Sequence, residues 1–325
     1  MGLKKNSKKL LHVSIIGAGY MAEEHIKALK KFKNVKILGI MSKKGISASK
    51  LSKKYKIKNV CTDIKSLYER TSVDLLIVAV TETNVKEIII QALNYPWKIF
   101  SEKPLGLNYS ESKEICQMAK ILKREKDVAV GFNRRNYEST KHILSNISFK
   151  KRLIQISDQQ DIYDSRVVNL PIDIKRNWMF ANSIHLIDYA NIFCRGKIRD
   201  LKRKNFFLDK KSKILTFSAS FTSGDVLIYK ALWNIPGPWS VIITNNKKSY
   251  KLEPLEVLKI KKKNSRQYEK INIKNCEKDG IKPGLYNQTM ELIKFANNKK
   301  NNLCSLKDSN QVMNLTSRIY EDWKH

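Results

Sequence analysis

A short β-branched run, Val13 to Ile16, ends directly in Gly17-Ala18-Gly19-Tyr20-Met21-Ala22, and a helical pattern follows from about Tyr20 to Lys33. Strand, tight glycine turn and helix in that order is the context in which G-x-G-x-x-G/A has a physical meaning. Gly17 permits the turn, Gly19 lets backbone approach a diphosphate, and Ala22 is small enough for the helix to pack on the strand. The diphosphate of a dinucleotide would then sit at the positive end of the helix dipole. Tyr20 and Met21, at the first helical positions, are candidate cofactor neighbours.

The pattern continues for about 130 residues. Apolar runs at 35–41, 75–80, 98–101 and 128–131, with a short one at Val60-Cys61, alternate with helical stretches near 46–55, 63–71, 85–94 and 108–126. Such alternation predicts a parallel sheet with helices on both faces, a doubly wound Rossmann-like domain over residues 1–132. From Leu153 onward strands follow one another without helices between them: 153–157, 214–222, 226–234, 239–244 and 249–252. Ser223-Gly224-Asp225 reads as a hairpin turn. Residues 133–325 are therefore expected to form a second α/β domain on a large, mainly antiparallel open sheet. Helices are expected before Asn297 and from about Asp308 to Trp323.

Cofactor choice is read at the end of the second strand, where NAD enzymes usually place an Asp or Glu for the ribose 2′-hydroxyl. Here the strand runs into Ser42-Lys43-Lys44, and no acidic residue occurs between Glu24 and Asp63. Ser42 can hydrogen-bond a 2′-phosphate and Lys43 or Lys44 can neutralise it, so NADP(H) is expected over NAD(H).

The net charge of +33 suggests a polyanionic partner. Its distribution argues otherwise. Residues 1–132 carry 26 basic and 12 acidic side chains, residues 133–325 carry 37 and 18, and 51 of the 63 basic residues are Lys. Nucleic-acid readers favour Arg for its bidentate fork, and 27 Asn with 37 Ile point to a compositional bias towards A/T-rich codons. No nucleic-acid partner is expected, and Lys202-Arg203-Lys204 and Lys261-Lys262-Lys263 read as solvated faces. Five widely spaced cysteines, Cys61, Cys116, Cys194, Cys276 and Cys304, form no C-x-x-C and argue for a reducing, cytoplasmic setting without disulfides or zinc. No metal is expected. Lys4, Lys5, Lys8 and Lys9 before an apolar run imitate a signal peptide, and Met1-Gly2 a myristoylation site. The apolar run is better explained as the first strand, and Asn6 departs from the acylation motif. No apolar run is long enough for a membrane-spanning helix.

After the fifth strand comes Ser101-Glu102-Lys103-Pro104-Leu105. A Lys at the carboxyl end of a parallel strand faces the crevice where a nicotinamide lies in such sheets. With the glycine turn, Glu102-Lys103-Pro104 about 85 residues later, and Gly131-Phe132-Asn133-Arg134-Arg135 after the sixth strand, the chain resembles the Gfo/Idh/MocA oxidoreductases along essentially its whole length. The resemblance implies that Glu102 and Lys103 lie at the cofactor and that Lys103 acts with a histidine from a later D-x-x-x-H motif on the substrate hydroxyl. That histidine corresponds to His185, in Ala181-Asn182-Ser183-Ile184-His185-Leu186-Ile187-Asp188. The family's Asp is Ala181 here, and the T-P-N-x-x-H segment is replaced by Val80-Thr81-Glu82-Thr83-Asn84-Val85. A cofactor-binding protein without turnover thus stays open as a second reading.

The resemblance further implies a pocket lined by Arg135 and Tyr137, a homodimer or homotetramer, and a sugar substrate. Asn182 and Asp188 are candidate substrate neighbours; Asp188 either orients His185 or faces a neighbouring helix. Lys282-Pro283-Gly284-Leu285-Tyr286-Asn287-Gln288 and Pro236-Gly237-Pro238-Trp239 are similar to segments of members associated with surface-polysaccharide sugars, which favours a sugar or nucleotide-sugar substrate. Trp233 to Trp239 reads either as a packed loop or as an aromatic wall for a sugar or a subunit contact. On chemical grounds an imidazole suits the proton of an alcohol under oxidation, and a lysine beside an oxidised nicotinamide suits a relay or polarising role.

Overall fold

The buried runs of the first 130 residues become strands whose two faces are both covered, which is why they are continuously apolar rather than alternating. The computed structural model describes residues 10–148, 150–273, 280–321 and 323. Met1-Gly2, the lysines at 4, 5, 8 and 9, and Cys276 lie outside them. The first unit begins β1 (Leu11–Ile16), α1 (Tyr20–Leu29), β2 (Val35–Met41), α2 (Ile46–Tyr55), β3 (Asn59–Cys61), α3 (Ile64–Arg70), β4 (Leu75–Val78), α4 (Val85–Ala92), β5 (Lys98–Glu102), α5 (Tyr109–Ile121) and β6 (Val128–Gly131). The strand order β6-β5-β4-β1-β2-β3 is parallel throughout. It reverses between β1 and β4, where open α/β sheets bind ligands beyond the carboxyl ends of their strands. Val13, Ile15, Leu75, Ile77 and Phe100 are fully buried at its centre.

The second unit contains α6 (Glu138–Asn146), β7 (Leu153–Gln160), α7 (Ser165–Val168), α8 (Ile172–Arg176), α9 (Ile184–Phe193), β8 (Ile198–Phe207), β9 (Lys213–Phe221), β10 (Val226–Trp233), β11 (Ser240–Thr244), β12 (Lys248–Leu252), β13 (Leu258–Lys262) and β14 (Glu269–Lys270). Its eight strands run β14-β13-β12-β11-β7-β10-β9-β8, antiparallel except for β7 beside β10. Leu215, Phe217 and Ala219 of β9 and Leu227, Tyr229 and Ala231 of β10 point to the buried face. Between them Thr216, Ser218, Ile228 and Lys230 stand on the other face, the period-2 pattern of a half-covered sheet.

Three features were not foreseen. The polar edge strand β8 carries too little alternation to read as a strand, and β13 reads only as a lysine cluster although Leu258-Lys259-Ile260-Lys261 alternates. Lys202 and Lys204 are exposed on an edge, where charge discourages further strand pairing, and Lys262 is exposed as well, whereas Arg203 and Lys261 are half-buried. The chain also returns. Of the described residues, 280–307, expected in the second domain, belong with 10–106 and 110–131, whereas 107–109, 132–273 and those from 308 onward form the second unit. The described part of the return carries α10 (Leu285–Ala296) and β15 (Cys304–Ser305), an antiparallel edge strand on β6. Ile281 and Leu285 bury themselves against Ala28 of α1, and Tyr286 stacks on Phe32. The last helix, α11 (Leu306–Ile319), follows.

The Ser223-Gly224-Asp225 turn joins β9 to β10 as a hairpin, and its aspartate does more than turn the chain. Fully buried Asp225 accepts hydrogen bonds from the backbone N–H groups of Arg152 and Arg195 and from the Arg195 guanidinium. Burial alone would raise its pKa, but these donors hold the carboxyl below the ordinary aspartate range. A depressed folded pKa contributes stability above the unfolded value that is lost as pH falls through the folded one. Asp225→Asn is expected to cost about 2–4 kcal/mol at pH 7. The deficit, measured by urea denaturation, should shrink as pH falls below about 4, where the unfolded chain's aspartate takes up its proton while the folded Asp225 carboxylate is still ionised, and should vanish once pH has fallen through the folded pKa.

Candidate cofactor and catalytic site

The glycine turn is fixed from two sides. The Gly17 N–H donates to the Met41 carbonyl at the end of β2, and the Ala79 N–H donates to the Ile16 carbonyl. Gly17 has φ +107°, and a Cβ there would stand 2.1 Å from the Ala79 carbonyl oxygen. Only glycine satisfies both conditions. Gly19 has ordinary extended backbone, and a Cβ on it would meet nothing within 4 Å. The space that the second glycine leaves open adjoins the first turn of α1, whose N–H groups attract anions.

A cavity of about 740 Å³ lies over this turn, walled by Gly17, Gly19, Tyr20, Met21, Ser42, Lys43, Ser47, Thr62, Asp63, Thr81 and Glu82 among others. Its size suits a dinucleotide-class ligand. Ser42 accepts a hydrogen bond from the Ala48 N–H and stands in the wall with Lys43, whereas Lys44 is exposed and outside it.

Asp63 is among the wall residues that sequence reasoning missed, with Ser47, Thr62, Thr81 and Glu82. Met41 and Cys61 are register partners, so Thr62-Asp63 emerges beside Ser42-Lys43 although twenty residues separate them. The Asp63 carboxylate caps α3 by accepting from the Ser66 N–H (2.8 Å) and hydroxyl (2.9 Å), and these bonds lower its pKa. The register of adjacent parallel strand ends is the signal that finds it.

Glu102 and Lys103 are not part of that wall. Glu102 is buried, and its Oε1 accepts a hydrogen bond from Nε2 of fully buried His25 on α1 at 2.7 Å. Burial raises the carboxyl, but the His25 hydrogen bond and charge, with Lys103 and Lys282 further off, bring it below the ordinary glutamate range. Glu102, expected at the cofactor, thus has one carboxylate oxygen bonded inside the protein. The pair ties the end of β5, and hence Lys103, to the helix that follows the glycine turn. His25 itself was missed.

In the second unit, Met179–Ser183 forms a π-helical turn that leads into α9, with His185 in the first turn of that helix. Ala181 in the π-turn and His185 are both buried, 6% and 8% exposed. Such turns recur at functional sites. Asn182 donates from its side-chain amide to Gln160 Oε1, which also accepts from the Trp178 indole. Asp188 is enclosed, and both its oxygens accept hydrogen bonds from Arg135, Nε at 2.8 Å and Nη2. Burial pushes the Asp188 carboxyl up even with that guanidinium beside it. Asp188, one turn after His185, thus forms an ion pair with Arg135. Tyr137 is buried at the start of α6. Lys103 is carried by the first unit and His185 by the second.

The two tryptophans of the Trp233–Trp239 segment are both engaged within the unit. Trp233 is buried, donates to the Tyr320 hydroxyl and packs on Trp323. The Trp239 indole donates to fully buried Asp158, and the Arg134 guanidinium lies 4.8 Å from its ring centre.

Residues 11–132 match the Gfo/Idh/MocA family model, described as an oxidoreductase family with an NAD-binding Rossmann fold. Over those residues the chain is similar to the family. Among characterised relatives, a 4-carboxy-2-hydroxymuconate-6-semialdehyde dehydrogenase of Sphingobium sp. is 25% identical over 182 residues, 55% of this chain and 57% of the relative. The chain thus spans little more than half the length of that relative. Solved structures share the fold over nearly the whole chain at low identity. A dehydrogenase from Chromobacterium violaceum has TM-score 0.82 at 14% identity, covering 96% of this chain and 94% of its own. UDP-N-acetylglucosamine 3-dehydrogenase from Acidithiobacillus ferrooxidans has TM-score 0.76 at 13%, covering 95% and 96%. A levoglucosan dehydrogenase solved with NADH has TM-score 0.78 at 18%, covering 96% of each chain.

The two glycines make separable predictions. Gly19→Ala should melt within a degree or two of wild type, because its methyl enters open space. It should weaken dinucleotide binding by about 10-fold or more, a loss of the order of one charge-assisted contact, measured by fluorescence titration. Gly17→Ala should instead lose stability outright, seen as a lowered melting temperature.

Proposed function

We propose that the chain is an NAD(P)-dependent oxidoreductase acting on CH–OH groups, which moves a hydride between the nicotinamide and a sugar or nucleotide-sugar derivative. The observation that carries this reading is the cavity over the Gly17–Met21 turn, together with Lys103 tethered at the carboxyl end of the adjoining sheet. The sugar assignment draws on the names of two structural neighbours, the nucleotide-sugar and levoglucosan dehydrogenases. It also draws on the Lys282–Gln288 and Pro236–Trp239 segments, which favour a role in surface-polysaccharide synthesis. The cytoplasm suits the free cysteines Cys61, Cys116, Cys194 and Cys304.

The dinucleotide would be held by the glycine turn, with Tyr20 and Met21 beside it, and would accept or supply the hydride. The protein's part is proton handling and placement. As the substrate C–H bond gives up its hydride and the carbonyl forms, the hydroxyl proton passes to His185, and Lys103 polarises the oxygen. In the reducing direction both act in reverse. Arg135, oriented by Asp188, and Tyr137 and Asn182 are the proposed substrate neighbours. NADP(H) is preferred because Ser42 and Lys43 can bind a 2′-phosphate, while Asp63 beside them is occupied in capping α3. The open face of the eight-stranded sheet, with Val226 and Ile228 exposed, suits a homodimer or homotetramer.

Lys103→Ala and His185→Ala are each expected to lower kcat on the order of 100-fold or more while the cofactor Kd stays within about 2-fold. Wild-type turnover in both variants would remove the catalytic assignment. Absence of turnover in wild type, with tight cofactor binding, would favour the binding-protein reading that Ala181 suggests. NADPH should bind more tightly than NADH by calorimetry, and Lys43→Ala should cut that preference about 10-fold.

A further inference from the structure

A cavity of about 310 Å³ lies in the second unit, where the β11–β12 hairpin meets the end of β13. Five lysines stand in its wall. Lys247 and Lys248 come from the hairpin, and Lys261, Lys262 and Lys263 from the end of β13 and the residue after it. No acidic residue lines the cavity. Among the described residues none of the five ammonium groups forms an ion pair, whereas Lys251, further along β12, is paired with Glu253. Glu269, the residue after Tyr268, is aligned with Ile260 and pairs with none of the five.

The backbone holds these like charges together. Asn245 Oδ1 accepts from the Lys247 and Lys248 N–H groups, each at 2.9 Å, and the Lys263 N–H donates to the Lys247 carbonyl at 3.0 Å. Lys248 and Lys262 are register partners on adjacent antiparallel strands. Like charges placed opposite one another in this way weaken a sheet, and a bound anion would offset the cost. The hydroxyls of the wall are donors as well. Those of Thr244, Ser249 and Tyr268 form a chain joined by hydrogen bonds of 2.9 and 2.7 Å. The two bonds use two of the three hydroxyl protons, and the third is left to donate outward. Positive charge and spare donors around one small cavity match a compact group of acceptor oxygens bearing several negative charges. A nucleic acid would instead call for a stripe of charge along a face.

We propose that this cavity binds a small anion carrying two or more phosphate groups, held by the lysines of the β11–β12 hairpin and of β13. It shares no wall residue with the cavity over the glycine turn, so the proposal stands apart from the dinucleotide reading. The anion would bridge β12 and β13 and relieve the repulsion between Lys248 and Lys262.

The test is calorimetric titration with pyrophosphate, orthophosphate and sulfate at fixed ionic strength. It compares wild type with Lys248→Gln/Lys262→Gln and with Lys202→Gln/Lys204→Gln, which removes equal charge from β8. Pyrophosphate should bind wild type about 10-fold more tightly than orthophosphate or sulfate, and should raise its melting temperature. Lys248→Gln/Lys262→Gln should weaken pyrophosphate binding about 10-fold or more, and without ligand should melt no lower than wild type. The β8 variant and Gly19→Ala should both stay within about 2-fold of wild type for pyrophosphate. Pyrophosphate affinity within about 2-fold of wild type in Lys248→Gln/Lys262→Gln would overturn the proposal. So would an equal loss in the β8 variant, which marks net charge rather than the cavity, or equal affinity for pyrophosphate and orthophosphate. A DNA duplex that binds wild type more tightly than pyrophosphate, and loses as much in Lys248→Gln/Lys262→Gln, would overturn it in favour of a nucleic acid.

Discussion

The contact on which the first unit depends is the approach of Gly17 to Ala79. The carboxyl ends of β1 and β4 come together at the reversal of strand order, and the chain leaving β1 must clear the Ala79 carbonyl at a distance that excludes any Cβ. Hydrogen bonds to Met41 on one side and Ala79 on the other fix the turn in place. Because the strand cannot continue between its neighbours, α1 starts at once, and its N-terminus opens onto the cavity. Gly19 then has a different duty. It needs no special backbone geometry, so its lack of a side chain serves what approaches from outside.

Around that turn α1 acts as a hub. Its inward face offers His25 to Glu102 at the end of β5, and Glu24 holds the backbone of Lys282. Fully buried Ala28 receives Ile281 and Leu285 of the returning segment. The motif glycines, the E-K-P strand end and the K-P-G loop are far apart in sequence yet fastened to three successive turns of one helix. A change in the tilt of α1 would shift all three together. The buried Glu102–His25 pair accordingly acts as a tether between β5 and α1.

Much of this was legible in the residues. The strand–glycine–helix sequence and the apolar alternation are local signals, so β1 to β6 and their helices follow from them, and the hairpin at Ser223-Gly224-Asp225 follows from turn chemistry. What escaped depends on contacts between distant segments. Asp63 reaches the cavity only through the register of β2 and β3, while a count along the chain leaves it twenty residues from Ser42. The return of α10 to the first unit rests on one helix face meeting Ala28 and Phe32, and an amphipathic pattern does not name its partner. Lys202, Lys204 and Lys262 are exposed as the solvated reading expects, yet the strands that carry them were missed: the edge strand β8 lacks apolar alternation, and in β13 the lysines mask the alternating Leu258 and Ile260.

In the second unit, the position where the family pattern places an aspartate is held by Ala181. Ala181 lies buried in the π-helical turn, and Asp188, one turn beyond His185, has both oxygens bonded by Arg135. Asp158 is equally enclosed, accepting from the Tyr229 hydroxyl, the Trp239 indole and the Gln160 amide. Burial raises the carboxyls of Asp158 and Asp188, whereas Asp225 is held low by its arginine and backbone donors. Each buried carboxylate thus has its hydrogen-bonding capacity turned to internal partners, as a low-dielectric interior requires. A carboxylate so engaged is a poor proton carrier, since giving up its donors would leave buried groups unsatisfied. The proposed proton transfer is accordingly assigned to His185 and Lys103 rather than to Asp158 or Asp188.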